Sequence, residues 1–472
     1  MDDRPCLAAP ELQRTPPLER APRAPTLGGI ESAAAVALHM HQPLIPAGGD
    51  ELGQARIISN LEYMRERGSD SERHDARMFH QCYRRMGELV RTSLDAGQAP
   101  RVMLEYSGTL LHGLEQMGLT DVIDELRRVT AEGPYRHAVE WLGAPWGHAV
   151  APSTPVLDYR RHVHAWRAHF ADVFGVEALG HVRGFSPSEM ALPNHPDHAY
   201  EFVRTLRDSG YEWVLVQEHS VELAGTGGRP SRVHVPHRLV CNSSRGESAS
   251  IIAIIKTQGS DSKLVGQMQP YYEARGLRRV DLGGISVPQL VTQIADGENG
   301  GVMMNEFPSK YLEVVGLASG SATPLLNVSE YLDELFALGV RAEHLPVVQP
   351  VLQGRIWQRV QPGDGPERVA RAVTELAAED PSFHMEGGSW TNDISWVRGY
   401  GTLLNDMERA SVLFHEKADQ AHISPAEPRV QNALFHLLCS QTSCYRYWGE
   451  GRWTDYGREL CRRTRDILTY DF

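Results

Sequence analysis

Asp296 and Glu298, in the run ADGENGG, follow directly on the strand-like VPQLVTQI, so two ionisable groups leave a strand end where they can meet a ligand. Glu189 is placed alike, because HVRGFSPSEM reads as a short strand running into a Ser/Pro turn. Carboxylates displayed in this way suit glycosidic-bond chemistry, which needs one carboxyl group at the anomeric carbon and another at the leaving oxygen. A third run, AAAVALHMHQP, ends an apolar strand in His39 and His41. The two imidazoles share one face by the period-two rule, and Pro43 stops the strand.

Five segments taken in chain order resemble the signature regions of glycoside hydrolase family 57. They are HMHQP (His39 to Pro43), VEWLGAPWGHAVAP with Glu140 and His148, SEMALP (Ser188 to Pro193), DGENGG (Asp296 to Gly301), and WTNDISW with Asp393 and Trp396. An ordered set is far more specific than a single motif. The family includes α-amylases, 4-α-glucanotransferases, amylopullulanases and branching enzymes. The resemblance implies an α/β fold, a distorted (β/α)7 barrel with a C-terminal helical domain. It also implies a retaining mechanism on an α-glucan or maltooligosaccharide, with Glu189 as nucleophile and Asp296 as general acid and base. Many members carry an aromatic shortly before the nucleophile and another after DGE. Here Ser186 and Ser188 precede Glu189, and Gly300 and Gly301 follow, so the adjoining subsites are expected to differ in shape.

The residues themselves leave alternatives. The proton donor must stay protonated near neutral pH, and crowding two carboxyl groups raises the pKa of one. By that argument Glu298 could serve as well as Asp296, or could orient a sugar hydroxyl. His39 and His41 can bond sugar hydroxyls and help keep Glu189 ionised. Together with Asp296 they could instead ligate zinc in a metal-dependent hydrolase or deacetylase. A glucan-binding protein without catalysis is the third reading. His148 is a sugar contact or an ordinary loop histidine. Trp146, Trp390 and Trp396 offer indole faces for stacking on a pyranose, with Asp393 available for its hydroxyls. The aromatic run CYRYWGEGRW reads more naturally as packing between helical domain and barrel than as the lining of distal subsites, its alternative.

The elements behind these residues alternate. AAAVALHM, RVMLEY, HVRGF, YEWVLVQ, SIIAIIKT and VPQLVTQI read as strands, with helices around Met78 to Ala96 and Leu110 to Thr130 between them. Such alternation implies a mainly parallel sheet, and α/β barrels place their sites just after the strands. Residues 1–30, rich in Pro, Arg and Ala, read as a disordered tail, 31–327 as the barrel, and 328–472 as a helical domain folding back over the cleft. The segment from Gly225 to Ser250 reads as irregular loop. At 472 residues the chain can bury a large core. Its 60 acidic against 47 basic residues give a net charge of −13, which argues against nucleic acid and anionic membrane as partners. No apolar run approaches the roughly 20 residues of a membrane span. Six sparse cysteines without CxxC spacing point to free thiols in a reducing cytoplasm. Beyond the HxH pair there is no Cys or His cluster with a complete ligand set, so neither metal nor cofactor is expected. Oligomeric state is left open.

Overall fold

The computed structural model describes residue 7 and residues 26–257, 265–298, 306–388, 400–448 and 450–472. Seven parallel strands close into a ring: β1 (Ser32–Met40), β2 (Val102–Tyr106), β3 (Val139–Gly143), β4 (Gly184–Phe185), β5 (Trp213–Gln217), β6 (Ser248–Lys256) and β7 (Gln289–Asp296). β7 pairs with β1 on one side and touches β6 through Lys256 and Thr292 on the other, which completes the barrel.

Period-two patterning decides what lies inside. Ala34, Val36, Leu38, Val102, Leu104, Val214, Val216 and Val291 pack outward in one core, and their alternates Ala33, Ala35, Ala37, Met103, Trp213, Leu215, Ile254 and Ile294 form a second. The second core is the barrel interior, and it is narrow. Trp213 fills much of it, and a Cβ at Gly184 would fall 2.1 Å from the Trp213 ring, so the short β4 requires glycine there.

Helices cover the outside, among them α1 (Asp70–Asp95), α2 (Val156–Phe174) and α3 (Pro196–Asp208). A capping box from Ser69 and Glu72 satisfies the first turn of α1. Its apolar stripe, including Cys82, Tyr83, Met86 and Val90, packs on the outward core. Beyond residue 328 the chain first serves the barrel. α4 (Val328–Ala337) inserts Val328, Tyr331, Leu332 and Leu335 into the interior core and plugs the N-terminal end of the strands. Glu140, in the expected second signature region, is part of this plug and faces away from the site. It accepts hydrogen bonds from Ser329 N (3.1 Å) and Ser329 Oγ, and Trp213 donates to the same hydroxyl. Burial, offset by those bonds, pushes its carboxyl up to about 7.

Three elements differ from the expectation, the first being β3, a fully buried strand outside the runs read as strands. His237–Asn242, within the stretch read as loop, is a strand paired antiparallel with β6. Its alternating burial is the period-two signal, hidden in the sequence by the polar residues on its half-covered face. Val347–Pro350, in the stretch read as helical, adds a strand beside it. The helices proper follow: α5 (Tyr400–Phe414), α6 (Pro428–Ser440) and α7 (Arg452–Tyr470), with α7 packed against both others. Among the described residues no helix is long and apolar enough to cross a membrane.

Candidate active site

The C-terminal ends of the barrel strands open into a cavity of about 540 Å³. His39 closes β1 and lies in register with Asp296 at the end of β7 and with Glu105 at the end of β2. Lys256 ends β6, and His148 and Glu189 sit in the loops after β3 and β4. His39, His41, His148, Glu189, Asp296 and Glu298 all line this one cavity.

The three imidazoles form a stack. His148 lies between the others, 4.3 Å from His39 and 4.4 Å from His41 by ring centroid. His39 Nδ1 pairs with Glu105, and His148 Nε2 lies 3.4 Å from Glu189 Oε1. His41 is held at both nitrogens, by Ser107 Oγ at 2.8 Å and Thr442 Oγ1 at 3.1 Å. Its backbone N–H donates to Glu298 Oε1 at 2.6 Å, and the Tyr83 hydroxyl donates to that oxygen at 3.0 Å. Glu298 therefore anchors the end of β1, whereas Asp296 keeps its carboxyl group toward the cavity beside His39.

Charge divides unevenly over the cluster. Burial alone would raise the Glu189 carboxyl, but the hydrogen bond and charge of His148, then Ser443 and His39, bring it below the ordinary value. Burial raises Asp296, and the nearby Glu189 carboxylate adds to this against the opposing charge of His39. Glu298 is likewise pushed up by burial, to about 8. Burial would lower His39, yet Glu105 outweighs it and lifts the imidazole to about 10. For His41 burial wins, aided by its two imidazole neighbours, and the ring stays neutral. The cluster thus holds one carboxyl group shifted toward the anion (Glu189), two shifted toward the acid (Asp296 and Glu298) and a cation that influences all three, a separation of pKa values that acid-assisted nucleophilic displacement can use.

The backbone is strained at this point. His148, Glu189 and Met190 all have left-handed φ (56°, 58° and 50°) without being glycine. Each such residue costs about 1–2 kcal/mol, and such outliers cluster where a side chain must be aimed.

His39, Glu105 and His148 bring potential ligand atoms within 4.8 Å of one another. A metal would need their lone pairs to converge. The His39 and His148 rings are instead stacked face to face at 15°, and one nitrogen of each already addresses a carboxylate.

Several contributors escaped the sequence reading. Glu105 ends the strand RVMLEY in the same inward row as His39, and that parity was the available signal. Lys256 has the same position on β6. Thr442, Ser443 and Cys444 interrupt an apolar helical run, where Ser and Thr compete for backbone hydrogen bonds. The break yields a bridge from Thr442 to Ala149 and delivers all three residues to the imidazole stack. The CYRYWGEGRW run divides. Tyr445 is core, whereas Tyr447 and the half-exposed Trp448 line the cavity. Trp146 is a correction, because it is fully buried and donates to His169 Nδ1 at 3.2 Å, leaving no indole face for a sugar. Trp390, Asp393 and Trp396, and likewise Gly300 and Gly301, lie outside the described residues.

Comparison with known proteins adds three findings. A family model described as glycosyl hydrolase family 57 matches residues 35–240. The fold resembles that of the 4-alpha-glucanotransferase from Thermococcus litoralis, with TM-score 0.56 and 16% identity over 93% of this chain and 59% of that one. It also resembles a family 57 branching enzyme from Thermococcus kodakaraensis (TM-score 0.57, 11% identity, 92% and 89% of the two chains). For an alpha-amylase from Thermotoga maritima the values are 0.51, 13%, 93% and 92%. At these identities the likeness concerns the fold, and the match spans only 59% of the length of the T. litoralis protein. No curated protein sequence matches significantly.

Proposed function

We propose that the chain, whose residues 35–240 match the family model, is a family 57 glycoside hydrolase that cleaves α-glycosidic bonds of α-glucans with retention, passing the glycosyl group to water or to a sugar hydroxyl. The observation that carries the reading is two carboxyl groups in one cavity at the C-terminal face of the barrel, Glu189 held below its ordinary pKa by His148 and Asp296 raised above its own by burial. Glu189 attacks the anomeric carbon. Asp296 protonates the departing oxygen and then, as carboxylate, deprotonates the acceptor. His39, kept cationic by Glu105, and His148 stabilise the Glu189 carboxylate before attack and after its release. His41 and Glu298 hold the end of β1, and the cavity faces of His148 and Trp448 bind sugar. Trp390, Asp393 and Trp396 are proposed, on the family resemblance, to complete the cleft from the C-terminal region. Similarity in fold to a glucanotransferase, a branching enzyme and an amylase supports α-glucan as substrate class. Free thiols at all five described cysteines support the proposed cytoplasmic setting.

The metal-dependent alternative would require His41 and Asp296 to converge on an ion with His39. Both nitrogens of His41 are engaged elsewhere, which favours the glycosidase reading. The test is a pair of variants. Glu189→Gln should be inactive on every substrate. Asp296→Asn should retain turnover on an aryl α-glucoside with a good leaving group, and azide should accelerate it. Product anomers read by NMR should show retention. Rescue of Glu189→Gln with an Asp296→Asn variant dead on all substrates would reverse the two roles, and inversion would exclude Glu189 as nucleophile.

A further inference from the structure

Outside the cavity, polar side chains buried between α2 and the C-terminal helices form one hydrogen-bonded file. At its outer end a π-turn, His415–Asp419, follows α5. His415 Nδ1 lies 2.6 Å from Asp419 Oδ2, and His415 Nε2 lies 2.7 Å from Asp158 Oδ1. Gln441 Nε2 donates to the other Asp158 oxygen at 2.6 Å. His162 Nε2 meets Gln441 Oε1 at 3.0 Å, and Gly147 N donates to His162 Nδ1 at 3.0 Å.

The donors along this file are fixed by elimination. Gly147 N–H occupies His162 Nδ1, so His162 donates from Nε2 to the Gln441 carbonyl, whose amide turns toward Asp158. Two carboxylates flank His415, so both of its nitrogens donate and the ring is an imidazolium. Burial alone would lower its pKa, but Asp158 and Asp419 raise it, whereas burial holds His162 down at about 4. Arg161 also faces this group and bonds the second oxygen of Asp419 at 2.6 Å. Asp158 and His162 have no measurable exposure.

Both inner ends of the file lead to Glu189. Gly147 precedes His148, and a Cβ at Gly147 would stand 2.6 Å from the Leu438 carbonyl of α6, so the loop after β3 lies directly on the helical region. Gln441 precedes Thr442 and Ser443. Ser443 N donates to the His148 carbonyl at 3.1 Å, and its side chain bonds Glu189. We infer that His415, Asp158, Gln441 and His162 are a positioning relay, in which the His415 cation, gripped between two carboxylates, sets the two backbone segments that carry His148 and Ser443 to Glu189. The functional part of this inference rests on the glycosidase reading of Glu189; the coupling itself does not.

The raised pKa fixes the sign. The clamp is whole below about pH 6.5 and is lost as pH rises through the folded-state value of His415, when one aspartate loses its donor. The test is amide hydrogen exchange in full-length protein, normalised to intrinsic rates, with steady-state kinetics on maltoheptaose. In His415→Gln at about pH 6, protection of segments 145–149 and 441–448 should fall about tenfold while the β1 amides are unmoved. The gap to wild type should close as pH rises through the folded-state value of His415, because the wild-type protein then loses its own clamp. Turnover should follow, with kcat reduced and KM little changed. A gap independent of pH, or protection of both segments within about twofold of wild type at about pH 6, overturns the relay. If His415→Gln fails to fold, Asp419→Asn must move the wild-type alkaline loss of protection to lower pH, and an unmoved midpoint overturns the proposal. Inert protein with the expected exchange pattern would remove the glycosidase reading and leave the relay standing.

Discussion

Replacing Glu105 by Gln is the sharpest perturbation of the site, because it removes one charge and almost no volume. His39 lies between Glu105 and Asp296 by strand register, so its protonation is set by its neighbours. Burial is the largest influence on that imidazole and acts downward, and Glu105 overrides it to reach about 10. Without the carboxylate, the His39 pKa should fall below its ordinary 6.5 and the ring should be neutral at pH 7. A raised histidine contributes stability fully below its unfolded pKa near 6.5 and loses it as pH climbs through the folded value, here about 10. At about 1.4 kcal/mol per pH unit that interval sets a ceiling on the order of 5 kcal/mol. Gln keeps a hydrogen bond, so the expected loss is that of a bond to a charged group, about 1.5–3 kcal/mol. If His39 supports the Glu189 carboxylate through the reaction, kcat should fall about 10- to 150-fold, the same energy expressed as a rate. The assay is NMR titration of ring-labelled histidine, with His39→Gln supplying the assignment, beside urea unfolding at about pH 6 and about pH 10. The wild-type advantage should be large at the lower pH and shrink at the higher. A His39 that still titrates near 10 in Glu105→Gln, or an advantage equal at both pH values, would refute the coupling.

Activity on maltooligosaccharides should survive exhaustive EDTA dialysis, and a loss restored by zinc would shift the assignment to the His39, Glu105 and His148 cluster as a metal site. Gly184→Ala should destabilise the barrel by about 1–3 kcal/mol or more through overpacking, measured by urea unfolding. Adding Trp213→Leu should recover part of that loss, since the clash is with the Trp213 ring; independent, additive effects would contradict the packing argument. Trp448, 45% exposed at the cavity rim, should matter most for short ligands. Trp448→Ala should therefore raise KM for maltotetraose more than for amylose, and an equal change on both would make the indole scaffold.

The sequence by itself determined six of the seven barrel strands, all but β3, their C-terminal ends as the site, and the set His39, His41, Glu189 and Asp296 lining it. Those features are local, because alternation along a strand fixes which side chains share a face, and the first polar residue after an apolar run marks where the strand leaves the core. Parity does not tell one end of a barrel from the other. Glu105 and Glu140 both lie in inward rows, yet one faces the cavity and the other the plug at α4, a distinction made only when the strands close in register. Nor could a linear pattern connect Thr442 and Cys444 to His41, some 400 positions earlier. That contact depends on α6 ending against Gly147, where the missing side chain lets two backbones meet. The protonation of the site belongs to the tertiary structure as well. Whether a carboxyl group is acid or anion follows from burial and from the charges packed beside it, and both arise only once distant segments share one dry cavity.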